Sequence, residues 1–211
     1  MREQMIEVKE AHTAVIVVDV QGDFTFCNQG SLAVEGTDQA YVDCVEAETR
    51  RLKALGYPVF ATQDWHPHNH MSFFSNHEGK SAFDTISVND GIQVLWPPHC
   101  IQDTENARVL VDNTLFESIV QKGMDPQYDS YSGFFDDSGH RTGLEDQLRD
   151  RGINKLIVYG LTTDYCARAT ALDARSLGFE VVLIKQLCRG VAEETTRAAL
   201  EEMAAAGVSV L

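Results

Sequence analysis

Basic residues are scarce in this chain: Lys and Arg number 17 against 32 Asp and Glu in 211 residues, a formal charge of −15. A surface this acidic repels phosphate backbones and anionic headgroups, so neither nucleic acid nor a membrane is an expected partner. Long apolar runs are lacking too, and none reaches the ~18 residues that a membrane-spanning helix needs. The opening MREQMIEVKE is charged throughout, where a secretory leader requires an apolar stretch. Cysteine is sparse and odd in number, at positions 27, 44, 100, 166 and 188, with neither CxxC nor zinc-finger spacing. That argues against a disulfide framework and for reduced thiols in a cytoplasmic protein. Most such cysteines act as small buried hydrophobes. At 44% hydrophobic and 23% charged, the composition excludes a disordered or fibrous chain.

What is present is an alternation of short apolar runs with helical patterns. Residues 13–18 read TAVIVV, a β-branched run without polar alternation, as expected of a strand covered on both faces. Similar runs occur at 57–62, 117–122, 155–160, 180–185 and 208–211, and helical patterns at 38–55, 143–151, 164–177 and 192–206. Strands that alternate with helices predict an α/β fold with a parallel sheet covered on both faces. Two stretches break the rhythm, 22–36 and 63–116, and the second carries five of the seven histidines and both tryptophans. A long irregular insertion after a strand's carboxyl end is where an open α/β sheet places a ligand site. With no repeat, low-complexity tract or linker, residues 1–211 are expected to form one domain.

Four predicted strand ends carry groups with chemistry to offer. The first ends in Asp19, the second in Asp64-Trp65-His66, the third in Lys122, and the fourth runs into Thr162-Thr163-Asp164-Tyr165-Cys166. Cys166 falls near the start of a helix, where the dipole and free N–H groups favour a thiolate or an oxyanion. Its plain alternative is a buried cysteine on a helix face. Asp19 closes an apolar strand, where desolvation raises a carboxyl pKa and a cation such as Lys122 lowers it. Alone it reads equally as a loop cap, and Lys122 alone as a lysine reaching water. Together they suggest a unit in which the acid takes the thiol proton and the lysine fixes charge. Asp64, His66 and His70, with His99 further on, offer one carboxylate and up to three imidazoles, a set suited to Zn, Fe or Mn with positions left for water. His12, His68, His77 and His140 read as surface residues.

Several segments together resemble the nicotinamidases of the isochorismatase-like cysteine hydrolase superfamily: VVDVQGDF (17–24), GSLAVEG (30–36), TQDWHPHNHMSF (62–73), LWPPHCIQDT (95–104), VQKGMDP with DSYSGF (120–134), and GLTTDYCARATALDA (160–174). They follow the family's order across most of the chain. The resemblance implies a three-layer α/β/α domain with a six-stranded parallel sheet and a triad of Asp19, Lys122 and Cys166. It implies one divalent metal, zinc first and iron or manganese next, on Asp64, His66 and His99, with His70 a ligand in some members. Phe24 and Trp96 would pack the substrate ring and Tyr131 would close the pocket. The N–H groups of Cys166 and of Thr162, after a cis Leu161–Thr162 bond, would form the oxyanion hole. The implied reaction deamidates nicotinamide to nicotinate and ammonia through a thioester, in NAD salvage, with pyrazinamide also accepted.

Two positions depart from the family pattern. Thr162 stands where many relatives have alanine, and Gly22 where asparagine is usual, which is expected to loosen that loop. Cys27 and Cys100 read as structural. The runner-up functions are another amide or carbamoyl hydrolase of the superfamily and, in a different class, a non-catalytic metal- or ligand-binding or redox-sensing module. A homo-oligomer is compatible with the sequence.

Overall fold

In a computed structural model describing residues 10–88 and 91–211, the apolar runs become the strands of a parallel sheet. Most of the charged N-terminal segment read for a leader lies outside the described residues. Strand β1 (Thr13–Val18) is buried along its whole length, which is why its sequence shows no alternation. Helix α1 (Gln39–Ala54) follows, its first turn capped by the Asp38 side chain, which accepts from the Tyr41 N–H. The chain returns in β2 (Val59–Asp64), likewise fully buried.

The long insertion then begins, and it is less irregular than its sequence suggests. It contains an antiparallel hairpin of β3 (Thr85–Val88) and β4 (Gly91–Val94). The order resumes with β5 (Ser118–Lys122), α2 (Leu144–Arg149), β6 (Lys155–Leu161), α3 (Cys166–Ser176), β7 (Glu180–Arg189), α4 (Glu193–Ala205) and β8 (Ser209–Val210). Strand β7 runs four residues past its expected end. Beyond the register shift between Val158 and Gly160, it still pairs Cys188 and Arg189 with Gly160 and Leu161.

The six-stranded sheet has the order β5-β2-β1-β6-β7-β8, every pairing parallel. From β1 the chain winds outward through β2 and β5, and from β6 it winds the other way through β7 and β8. The carboxyl ends of β1 and β6 therefore flank a topological switch point, the crevice where open α/β sheets bind ligands. Asp19 follows β1 and Cys166 follows β6, so the winding alone brings residues 147 positions apart to one edge. No helix among the described residues is long and apolar enough to cross a membrane.

Candidate active site

Asp19 turns the chain away from β1 with a positive φ of 47° and is fully buried. Its Oδ1 accepts from the Thr62 hydroxyl at 2.6 Å. Its Oδ2 lies 3.0 Å from Lys122 Nζ, yet no donor is aligned on it as a hydrogen bond. Lys122, the last residue of β5, is buried as well. Its ammonium donates to Asp64 Oδ1 at 2.5 Å, to the Ser130 carbonyl at 2.7 Å and to Cys166 Sγ at 3.5 Å. A buried ammonium is costly unless its protons are used, and here each has an acceptor.

Cys166 opens α3, and its sulfur lies with carboxylate oxygens of Asp19 and Asp64 inside a 4.8 Å group. Burial pushes the thiol pKa well up; Lys122 pulls against this, but the two carboxylates add to it. The helix terminus and Lys122 favour the thiolate, while burial and the two carboxylates favour the thiol. Burial also raises the Asp19 pKa, against the pull of Lys122 and the Thr62 hydrogen bond. Burial works to discharge Lys122, but Asp19 and Asp64 overcome it and hold the proton on nitrogen. A raised carboxyl beside a raised thiol is matched for proton exchange during attack.

The peptide bond between Leu161 and Thr162 is cis, as the resemblance implies. In the turn that follows, the N–H groups of Tyr165 and Ala167 both donate to the Thr162 carbonyl. Thr162 and Cys166 thus stand on either side of this turn, at the end of β6 and the start of α3.

Asp64, His66 and His99, all buried, bring ligand atoms within 4.8 Å of one another. The His66 Nδ1 pairs with the Gly123 carbonyl at 2.8 Å and the His99 Nδ1 with the Pro97 carbonyl at 2.7 Å. With each Nδ1 engaged by a carbonyl, each Nε2 is the free ligand atom, and His66 Nε2 lies 3.6 Å from Asp64 Oδ2. Burial and the neighbouring His66 lower the His99 pKa to about 4, so its ring is neutral and able to ligate. This donor set fits a divalent transition metal with open positions. His70 stands beside the group, its ring centroid 4.3 Å from that of His66. Both of its nitrogens are engaged elsewhere, Nδ1 with the Ser72 hydroxyl at 2.7 Å and Nε2 with the Tyr128 carbonyl at 3.1 Å.

Above the sulfur is a small cavity lined by Phe24, Trp96 and Tyr131 together with His66, His99, Thr162 and Cys166. The Trp96 indole donates to the Tyr131 hydroxyl at 3.0 Å, which ties the expected ring-packing Trp96 to the expected pocket-closing Tyr131. Sequence reasoning passed over three contributors. Tyr165 lines the cavity and meets Trp96 edge-on at 4.8 Å. Asp129, also in the lining, accepts at 2.7 Å from Gln93 on β4. Gln21 bonds the Asp64 N–H and carbonyl, both at 2.8 Å, and so fixes the end of β2 to the turn after β1. Gln21 was legible within VVDVQGDF; Asp129 and Gln93 gave no signal.

At Gly22 the backbone is closely packed against another loop. A Cβ there would lie 2.9 Å from the Asn106 Cα, inside contact distance of another loop's backbone. Cys100 is buried, and its N–H donates to Asp23 Oδ2 at 2.7 Å, which ties the His99 loop to the segment after β1.

Residues 13–211 match the family described as Isochorismatase domain. The chain is 41% identical over 208 residues to the nicotinamidase of Acinetobacter baylyi, covering 96% of this chain and 94% of that protein. It superposes on the Acinetobacter baumanii nicotinamidase/pyrazinamidase with a TM-score of 0.87 at 38% identity, covering 96% of this chain and 97% of that one. Against the pyrazinamidase of Pyrococcus horikoshii, solved in complex with zinc, the TM-score is 0.78 at 36% identity, with 95% and 98% covered. With a family match over nearly its whole length and a parallel sheet that carries cysteine, lysine and aspartate to one edge, the chain belongs to the isochorismatase family.

Proposed function

We propose that the protein is a nicotinamidase, a cysteine amidohydrolase that converts nicotinamide to nicotinate and ammonia, with pyrazinamide as a second substrate. The observation that carries the reading is the buried contact set joining Lys122 to Asp19, Asp64 and Cys166 beneath an aromatic-walled cavity. The similarity to nicotinamidases over almost the full chain supports the choice of amide.

Cys166 Sγ attacks the carboxamide carbon while Asp19 Oδ2, free of any aligned donor, takes the thiol proton. The carbonyl oxygen becomes an oxyanion held by the Thr162 and Cys166 N–H groups. Asp19 then passes the proton to the departing nitrogen. The C–N bond breaks, ammonia leaves, and a nicotinoyl thioester remains on Cys166. Water adds to the thioester carbon with Asp19 again as base, which releases nicotinate and restores the thiol. Lys122 keeps its charge throughout and steadies the two carboxylates. Phe24, Trp96 and Tyr131 orient the ring.

Asp64, His66 and His99 would hold the metal, and His70 supports the cluster from beside His66. When bound, the ion supplies a Lewis-acid site suited to a pyridine nitrogen or a water molecule. Zinc is the first choice, by analogy with the zinc-bound pyrazinamidase, and iron or manganese would suit the same donors. Residues 1–211 act as one domain, and the enzyme works in the cytoplasm, a setting with which its five free thiols agree. A small-molecule amide is its partner.

The test is ammonia release from nicotinamide by purified, metal-replete protein, beside Cys166→Ala. Release is expected from the first, and none from the second at unchanged secondary structure. Turnover by the alanine variant, or none by the parent on nicotinamide with turnover on a carbamoyl substrate, would overturn the reading.

A further inference from the structure

Among the described residues, two buried side-chain polar atoms have no hydrogen-bond partner: Asp19 Oδ2 and Thr162 Oγ1. Both belong to the site around Cys166. The first has a use in the proposed reaction, since the Asp19 carboxylate lies in one 4.8 Å group with the Cys166 sulfur. The second has no assigned use, and it stands at a position where the resemblance sets alanine as the common residue.

An unpaired buried hydroxyl is costly, and threonines ordinarily escape the cost by bonding a nearby carbonyl. Other buried threonines in this fold do so: Thr25 bonds the Gly22 carbonyl at 3.0 Å and Thr49 the Val45 carbonyl at 2.7 Å, while Thr62 bonds Asp19 at 2.6 Å. Thr162 is 4% exposed and lines the cavity with Cys166, yet its hydroxyl is left unsatisfied. Groups held unsatisfied at a reacting centre are those whose partner arrives with the substrate.

We propose that the Thr162 hydroxyl is a third donor to the carbonyl oxygen of the substrate amide, a catalytic residue acting beside the two backbone N–H groups. Three covalent bonds separate Oγ1 from the Thr162 nitrogen, so an oxygen accepting from that N–H is within reach of the hydroxyl through a change of rotamer. The donated bond strengthens as negative charge grows on the oxygen, so its effect falls on the chemical step rather than on ground-state binding. The inference rests on the nicotinamidase reading and names one more member of its oxyanion hole.

The experiment compares the parent with Thr162→Val, Thr162→Ala and Thr162→Ser, measuring steady-state ammonia release from nicotinamide and urea unfolding of the same samples. Valine and alanine are expected to lower kcat about tenfold, the rate equivalent of one ordinary hydrogen bond, with KM little changed. Serine is expected to restore kcat to within twofold. Valine should also shift the unfolding midpoint upward, because it removes an unpaired polar atom from the interior. A structural hydroxyl would give the opposite shift. A kcat within twofold of the parent in both the valine and alanine variants would overturn the third donor while the nicotinamidase reading stands. A rise in KM at constant kcat would overturn it as well, since that marks a ground-state anchor. Absence of ammonia release from the parent itself would instead refute the reading beneath it.

Discussion

Lys122 and Asp64 meet at 2.5 Å, so a single ammonium joins the pair Asp19 and Cys166 to the cluster of Asp64, His66 and His99. The same cation lies 3.0 Å from Asp19, and without it two buried carboxylates would confront each other. Replacing Lys122 with methionine keeps the length and removes the charge. Breaking a buried ion pair on one side costs about 3–5 kcal/mol, and the variant should unfold at lower urea while losing ammonia release at least a hundredfold. Unfolding and turnover measured together would check this; a variant as stable and active as the parent would show that the lysine is dispensable.

Metal and turnover are expected to fall together. Dialysis against a chelator, or Asp64→Asn, should lower both the metal content and the rate, and adding back zinc, iron or manganese should restore the dialysed parent but not the variant. Elemental analysis paired with the ammonia assay decides it. Full activity in protein shown to be metal-free would end the assignment of Asp64, His66 and His99.

The packing at Gly22 can be probed with Gly22→Asn, which installs the residue usual at this position in the wider family. Because a Cβ would press on the Asn106 backbone at 2.9 Å, the substitution should cost about 1–3 kcal/mol. The shift in urea midpoint at unchanged slope measures it, and a neutral result would mean that the 105–107 turn yields freely.

Asp137 provides a pH-dependent test away from the chemistry. Partial burial, with Asp129, Asp136 and Asp173 nearby, raises its pKa to about 6. An acid whose folded pKa exceeds its unfolded value favours folding while protonated, so its contribution is best below pH ~4 and declines as pH rises through about 6. Asp137→Asn should therefore raise the melting temperature at pH 8 and lose most of that advantage at pH ~4. Thermal unfolding at the two values checks the sign; an equal effect at both would discount the titration.

Much of the fold was legible because strands covered on both faces advertise themselves as unbroken apolar runs. Residues 13–18 are fully buried, and the sequence there admits little else. The hairpin of β3 and β4 was not, since its two four-residue strands are largely exposed and carry no continuous apolar signal. The meeting of Asp19, Lys122 and Cys166 was readable because each closes a strand or opens a helix. Asp129 and Gln93 were not: they lie 36 positions apart and acquire meaning only through their hydrogen bond. His70 is the mixed case. Motif spacing set it beside His66, and only the fold revealed Ser72 and Tyr128 as its partners.

Position 123 shows how far the demands of such a centre extend. The His66 ring is seated so close to Gly123 that a methyl group there would overlap its Cε1 at 2.3 Å, on a backbone turned to φ +66°. The aim of the His66 ring is thus secured by a hydrogen atom on a neighbouring strand's exit, and alanine, the mildest of replacements, would tilt the imidazole away from Asp64. Surveys of tolerated variation that weigh only reactive side chains would overlook this site, although the centre depends on keeping it empty.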